Sequence, residues 1–450
     1  MTTAVGSVHS ALAEIVGESR VVSEPTACAG LAVAGRIPQH IASPPTAECV
    51  AAVLKFAAEH DLAVIPCGSG TKLALCSPPR RYDLALSLKE LNHVWHYEPA
   101  DLTITVEAGM KLGDLQDFLG REGLWLPLDP RGGASATLGG ILATNSAGPL
   151  RLRFGSARDM VLGMKVATTE GRLIKSGGRV VKNVAGYDLC KLLVGSYGTL
   201  GVIAEASLKL FPRPAARATW VLEPGTLGLA RDLRRRILNS PLEPLCMVLL
   251  NTAASGLLQN GLHGGEAQGM ELWIEVGGSP RILERHAKDL AEMGRSMGVP
   301  SRRVSEPTAE SCWARLRNYE QLFADFFPEV LVLKANLPIA SCEGFLSLAQ
   351  QGAEGEEVKM ASFAQVGVGR VHLCFWGAKL GTVADRLVKN NRKAAASLGG
   401  ALVVEQYPNG FDAERDTWGA PGDSLEAMRR LKAAWDPKSV LSPGRFVGGI

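Results

Sequence analysis

Residues 178–203 read GRVVKNVAGYDLCKLLVGSYGTLGVI. Gly178, Gly186, Gly195, Gly198 and Gly201 leave the backbone bare at intervals, with Lys182, Asn183, Tyr187 and Asp188 between the gaps. A set of turns produces such a pattern, and so does backbone laid against a flat, charged ligand. Asp188 reads as the N-cap of a short helix running to Val194. Tyr187 fits a core phenol or a ligand contact, and Lys182 a solvated side chain. Beyond the glycines, Val202, Ala204, Ala206, Leu208 and Leu210 alternate with Glu205, Ser207 and Lys209, which predicts a half-buried strand.

The rest of the chain limits what such a ligand is. The 450 residues, 46% of them hydrophobic, suffice for two or three domains with sizeable cores. Lys and Arg total 48 against 45 Asp and Glu, a net charge of +3. That gives no broad field for a nucleic acid, so no nucleic-acid partner is expected. The nine cysteines stand singly with no CxxC pair, which argues against a zinc or iron–sulfur site and fits reduced thiols. No signal peptide and no bilayer-length apolar run is legible. The expectation is a cytoplasmic protein with no transmembrane segment.

Upstream, SPPTAECVAAVLKFAAEHDLAVIPCGSGTKL predicts a helix capped by Thr46, with Val50, Val53, Leu54 and Ala57 on one face. A short buried strand, LAVIP, then opens into Gly68-Ser69-Gly70-Thr71. DLALSL and LTITVEAG predict two more strands, Lys111 to Arg121 a helix, and MKVATTEGRLIKSG a hairpin around Glu170-Gly171. A dinucleotide-binding Rossmann turn needs a third glycine and an immediate helix. Here position 73 is Leu, and two prolines in ALCSPPRRYD prevent a helix. What survives is a nest of backbone N–H groups around a diphosphate, or a plain β-turn. Residues 127–155 form a second Gly- and Pro-rich stretch, too long for an ordinary connection. In it Gly139 and Gly140 permit close backbone approach, while Thr137 and Asn145 offer neutral hydrogen-bonding groups. Three such loops suit a long cofactor such as FAD.

FPRPAAR at 211–217 marks a domain boundary. After it, strand and helix alternate in an order that predicts an antiparallel sheet with helices on one face. At the end, Asp423 and Glu426 suggest a capping box, Leu425, Met428 and Leu431 a helical stripe, and Pro437 a stop.

IPCGSGTKL, the run from ATLGGILATNSAGPLRLRFGSARD to LVGSYGTLGVIAEASLKLFPRP, and WDPKSVLSPGRF together resemble the vanillyl-alcohol oxidase / p-cresol methylhydroxylase (PCMH-type) flavoprotein family. VKNVAGYDL and GPLRLRFGSARD most resemble the FAD-binding E subunit of bacterial glycolate oxidase. The resemblance implies an α+β fold. A two-lobed FAD-binding domain at 37–215 would precede a smaller antiparallel cap at 216–420, with a C-terminal segment at 421–450 returning to the FAD domain. It implies that Cys67, Gly68, Ser69, Gly70 and Thr71 hold the FAD diphosphate. Thr137, Gly139, Gly140, Asn145 and Gly148 would line the ribityl and isoalloxazine portion, and Gly201, Val202 and Ile203 the adenine end. With no His in the first loop, the FAD is expected to be non-covalent.

Related dehydrogenases carry paired histidines in HxGDGN-like and EHG-like stretches that hold a metal, whereas GVGRVHLCFWG offers a single His372. No metal is expected. Oxidation of a 2-hydroxy acid needs a hydride acceptor, a base and a cation for the carboxylate. Arg370 and His372 share one face of RVHLCFW with Cys374 and Trp376, which gives either a clamp and base or a polar, solvent-facing strand. Arg445 in SPGRF is expected to reach the cofactor or to be surface, and Arg151, Arg153 and Arg158 to serve an acidic group or solvent. The expected function is oxidation of glycolate or a related small 2-hydroxy acid. A second flavoprotein subunit and an iron–sulfur subunit would be partners, with any membrane association supplied through them. A non-catalytic FAD-binding relay or scaffold subunit, or a stand-alone oxidase of another alcohol, are the alternatives.

Overall fold

The computed structural model describes residues 2–179, 187–260, 269–327, 329–408, 410 and 416–450; Lys182 and Asn183 lie outside them. The chain forms two compact units: Met1–Ala147 with Ser156–Arg213 and Asp412–Ile450, and Gly148–Gly155 with Pro214–Phe411.

Besides a two-stranded pair, the first unit has two sheets among the described residues. One runs in the order Val21–Val22, His40–Ala42, Leu84–Ser87, Val64–Cys67, and its last three strands are parallel. The other is antiparallel throughout: Val94–Glu98, Thr103–Glu107, Val202–Lys209, Val161–Ala167, Leu173–Gly177. The last two of these strands are the hairpin expected around Glu170-Gly171. The helix Ala47–Glu59 is capped by the Thr46 side chain, which accepts from Cys49 N–H, and it buries Val50, Val53, Leu54 and Ala57. Asp188 caps the helix Leu189–Leu193 in the same way. Tyr187 is 94% exposed, so it is not a core phenol.

The second unit is one eight-stranded antiparallel sheet. Its order is Ser301–Val304, Ala216–Leu222, Glu271–Gly278, Cys246–Leu250, Lys359–Gln365, Arg370–Trp376, Leu331–Asn336, Ala401–Gln406. Trp220, Ile274, Leu373 and Phe375 pack with Leu233, Leu290, Phe345 and Leu387 from four helices on one face. The expectation of helices on one face only is corrected. On the opposite face, helix Glu306–Arg317 inserts Trp313, whose Nε1 donates to Thr219 Oγ1 at 3.0 Å and whose ring meets Trp273 edge-on.

The chain stays with the first unit until Arg213, two residues short of the expected boundary. Phe211–Pro212 pair with Leu124–Trp125, and Arg213 N–H bonds Gly123 O. The C-terminal segment of that unit returns to the strand Val64–Cys67: Val64 N–H bonds Val440 O, and Ser442 N–H bonds Val64 O. Its capping box does not form. A 3₁₀ turn, Gly422–Ser424, precedes helix Leu425–Trp435, and Ser424 makes no side-chain cap. Of the apolar stripe, Leu425 and Met428 are half-buried and Leu431 is exposed, while Lys432 is buried.

Candidate cofactor cleft

A cleft lies within the first unit. Cys67, Gly68, Ser69, Gly70 and Thr71 form one wall, Thr137, Gly139 and Gly140 a second, and Gly201, Val202 and Ile203 a third. Sequence spacing missed Lys72, Cys76, Thr144, Tyr197 and Ser442, which also line it.

The walls are positioned by backbone bonds. Leu138 N–H bonds Met110 O and Gly139 N–H bonds Ala108 O, which fixes the start of helix Leu138–Thr144. Tyr197 N–H bonds Ala143 O at the other end. Gly68 is packed so tightly on Thr137 that a Cβ there would stand 2.0 Å from Thr137 Oγ1. Gly70 has φ +79°, a conformation that costs any side-chain-bearing residue.

The loop's chemistry suits an anion. Among the described residues, no protein group accepts from the backbone N–H groups of Ser69, Gly70 and Thr71. Ser69 Oγ is buried without a partner. Lys72 and Arg445 line the cleft, and no carboxylate does among the described residues. Arg445 is buried: its Nη2 donates to Leu73 O at 2.7 Å and Leu75 O at 2.6 Å, and its Nη1 is left without a partner. Unpaired buried donors beside a bare loop carry a desolvation cost that an anionic ligand removes. These residues fit the diphosphate of FAD. Burial pushes the Cys67 thiol up to about 11, so it is uncharged there.

Two expected cofactor residues fall outside this lining. Asn145 ends helix Leu138–Thr144 in a left-handed conformation, and its Oδ1 accepts from Arg158 N–H. Gly148 belongs to the second unit. Arg445, expected among the catalytic groups, stands in the wall of the cleft beside the glycine loop.

Arg370 and His372 lie in the second unit, on the sheet face opposite the helical core. That strand face is not the solvent-facing one considered above: His372 is 5% exposed. Phe363 stacks on its ring at 4.5 Å, and Tyr319 lies at 4.6 Å. Its Nδ1 stands 3.6 Å from Glu405 Oε2. Burial lowers the imidazole to about 4, only partly offset by Glu405, so it is neutral at pH 7. In the unfolded chain the ring takes a proton below about 6.5, whereas the folded site refuses it until about 4. Stability therefore falls as pH drops through that window, by up to about 3 kcal/mol. His372→Gln should lose less melting temperature than the wild type between pH 6.5 and 4.5; parallel losses would show that His372 titrates alike in both states.

Residues 38–177 match the FAD binding domain family, and residues 213–446 match the C-terminal domain of FAD linked oxidases. The chain belongs to the FAD-linked oxidases and is an FAD-dependent oxidoreductase. It is similar to the Bacillus subtilis protein named "Glycolate oxidase subunit GlcD", 27% identical over 91% of this chain and 89% of that protein. It is also similar to a D-2-hydroxyglutarate dehydrogenase of Stutzerimonas stutzeri, 32% identical over 91% of each. The fold is shared with p-cresol methylhydroxylase, whose substrate-bound crystal structure aligns at TM-score 0.74 with 15% identity, covering 98% of this chain and 96% of that one. The expected PCMH-type α+β fold and FAD cofactor hold.

Proposed function

We propose that this chain is a subunit that oxidises glycolate or a related small 2-hydroxy acid to the 2-oxo acid. It passes the electrons to a second flavoprotein subunit and an iron–sulfur subunit. The observation that carries the reading is the anion-ready cleft in a chain aligned over nine-tenths of its length with flavoproteins of 2-hydroxy acids. Bound FAD supplies the hydride acceptor. The N–H groups of Ser69, Gly70 and Thr71 bind its diphosphate, and Lys72 and Arg445 offset the charge. His372, neutral through burial, takes the hydroxyl proton, and Arg370 binds the carboxylate. Asn145 and Gly148, off the cleft lining, are left out of this assignment. Among the described residues no helix is long and apolar enough to cross a membrane; the chain acts in the cytoplasm and reaches any membrane through its partners.

The cover of Tyr319 and Phe363 over His372 favours a second reading, in which this subunit holds an auxiliary flavin and the partner does the chemistry. Anaerobic mixing of the flavin-loaded protein with glycolate separates them. The first reading expects bleaching of the flavin's visible absorption, slowed about 10²–10⁴-fold in His372→Ala, the usual worth of a general base. A wild-type protein that glycolate never bleaches leaves the second reading.

A further inference from the structure

Strand pairing in the second unit brings together ionisable side chains that sequence spacing does not connect. Lys334 lies directly across the ladder from His372, with Phe363 opposite on the other side. Glu405, from the strand beyond Lys334, is 8% exposed. Its carboxylate accepts from Lys334 Nζ and from the Tyr319 hydroxyl, and it faces His372 Nδ1. One buried carboxylate thus holds an ammonium and a phenol beside an imidazole on a single sheet face.

The three charged or titrating groups differ in access. The side chains of His372 and Glu405 are 6% and 7% exposed, and that of Lys334 is 21%. Glu405 is the one partner of Lys334 among the described residues, and an ammonium carries three donors. Its position is therefore fixed from behind while its remaining donors are directed away from the carboxylate. An ammonium held in this way needs little reorganisation to take an anion. A 2-hydroxy acid asks for a cation and a proton acceptor a few ångströms apart, and directly paired residues on neighbouring strands have that spacing.

We propose that Lys334 joins Arg370 in binding the substrate carboxylate beside His372, with Glu405 and Tyr319 as positioning residues. This rests on the reading that the strand Arg370–Trp376 meets the substrate.

The probe is oxalate, a dicarboxylate with no C–H bond to oxidise, titrated calorimetrically into the flavin-loaded protein. Lys334→Met alone strands a buried carboxylate and endangers the fold, so the informative variant is Lys334→Met/Glu405→Gln. Its oxalate affinity should fall at least about tenfold, a loss of the size expected for a charge-assisted hydrogen bond, and Lys334→Arg should keep most of the binding. If the folded double variant binds oxalate as the wild type does while Arg370→Met does not, Lys334 is structural, and the assignment of the strand to substrate stands. If the wild type binds no oxalate and His372→Ala leaves glycolate bleaching unchanged, that assignment falls and Lys334 with it.

Discussion

Gly68→Ala is expected to give a folded protein that retains no flavin. The added Cβ would stand 2.0 Å from Thr137 Oγ1 and 2.8 Å from Thr137 Cβ, distances no pair of non-bonded atoms sustains. Thr137 cannot retreat. The helix that follows it is tied by Leu138 and Gly139 N–H to Met110 and Ala108 carbonyls, and Gly139 is itself packed against Ala108. The glycine loop must move instead, and it carries the N–H groups of Ser69, Gly70 and Thr71 out of line. A shift of about 1 Å is enough to spoil a preorganised site. Gly70→Val is milder by comparison. Its Cβ meets only Leu73 Cδ1, at 3.7 Å, so the effect comes through the positive φ, of order 1–3 kcal/mol. The flavin-to-protein ratio after purification, with far-UV circular dichroism as a control for folding, checks both. A folded Gly68→Ala protein with full flavin content removes this loop from the cofactor site.

How much of this was readable follows from where each signal sits. The glycine loop is legible because a buried strand, bare residues and a helix-blocking pair of prolines are adjacent in sequence. Thr46 and Asp188 are legible because a cap acts three residues away. The strand Val94–Glu98 escaped because it buries neither face, so no alternation appears in VWHYE. Tyr197 reaches the cleft with φ +56°, a conformation that residue type does not announce in a tyrosine. Lys72 and Ser442 meet in the cleft from 370 positions apart, and no local pattern marks either. The burial of His372 depends on Tyr319, which arrives from a separate helix. Alternation along RVHLCFW assigns its residues to two faces correctly, and what covers each face is tertiary. The burial of Lys432 in the last helix has the same cause: it is a solvent residue by type, and Asp436 with the carbonyls of Thr199 and Leu441 makes its burial tolerable.

That pair leads to the second large effect. Lys432→Met is expected to destabilise the first unit by about 3–5 kcal/mol and to lower its flavin content. Lys432 Nζ donates to Asp436 Oδ2 at 2.6 Å and to the carbonyls of Thr199 and Leu441 at 2.8 Å each. Asp436 is 1% exposed, and its carboxylate also accepts from Val440 and Leu441 N–H. The ammonium thereby joins the C-terminal segment to Thr199, between the cleft residues Tyr197 and Gly201, and it sits just before Ser442 and Arg445. Methionine fills the same space but leaves an uncompensated buried carboxylate, and the segment that carries Arg445 gains by separating. Burial pushes the Lys432 ammonium below the usual lysine range despite Asp436, and replacing a buried ion pair as a pair is often near neutral. Lys432→Met/Asp436→Asn should accordingly recover most of the melting temperature, since an Asn oxygen still accepts backbone N–H and no charge stays buried. Thermal melts followed in parallel by flavin release separate the cases. A single variant as stable and as yellow as the wild type would show that the C-terminal segment holds its place without this contact.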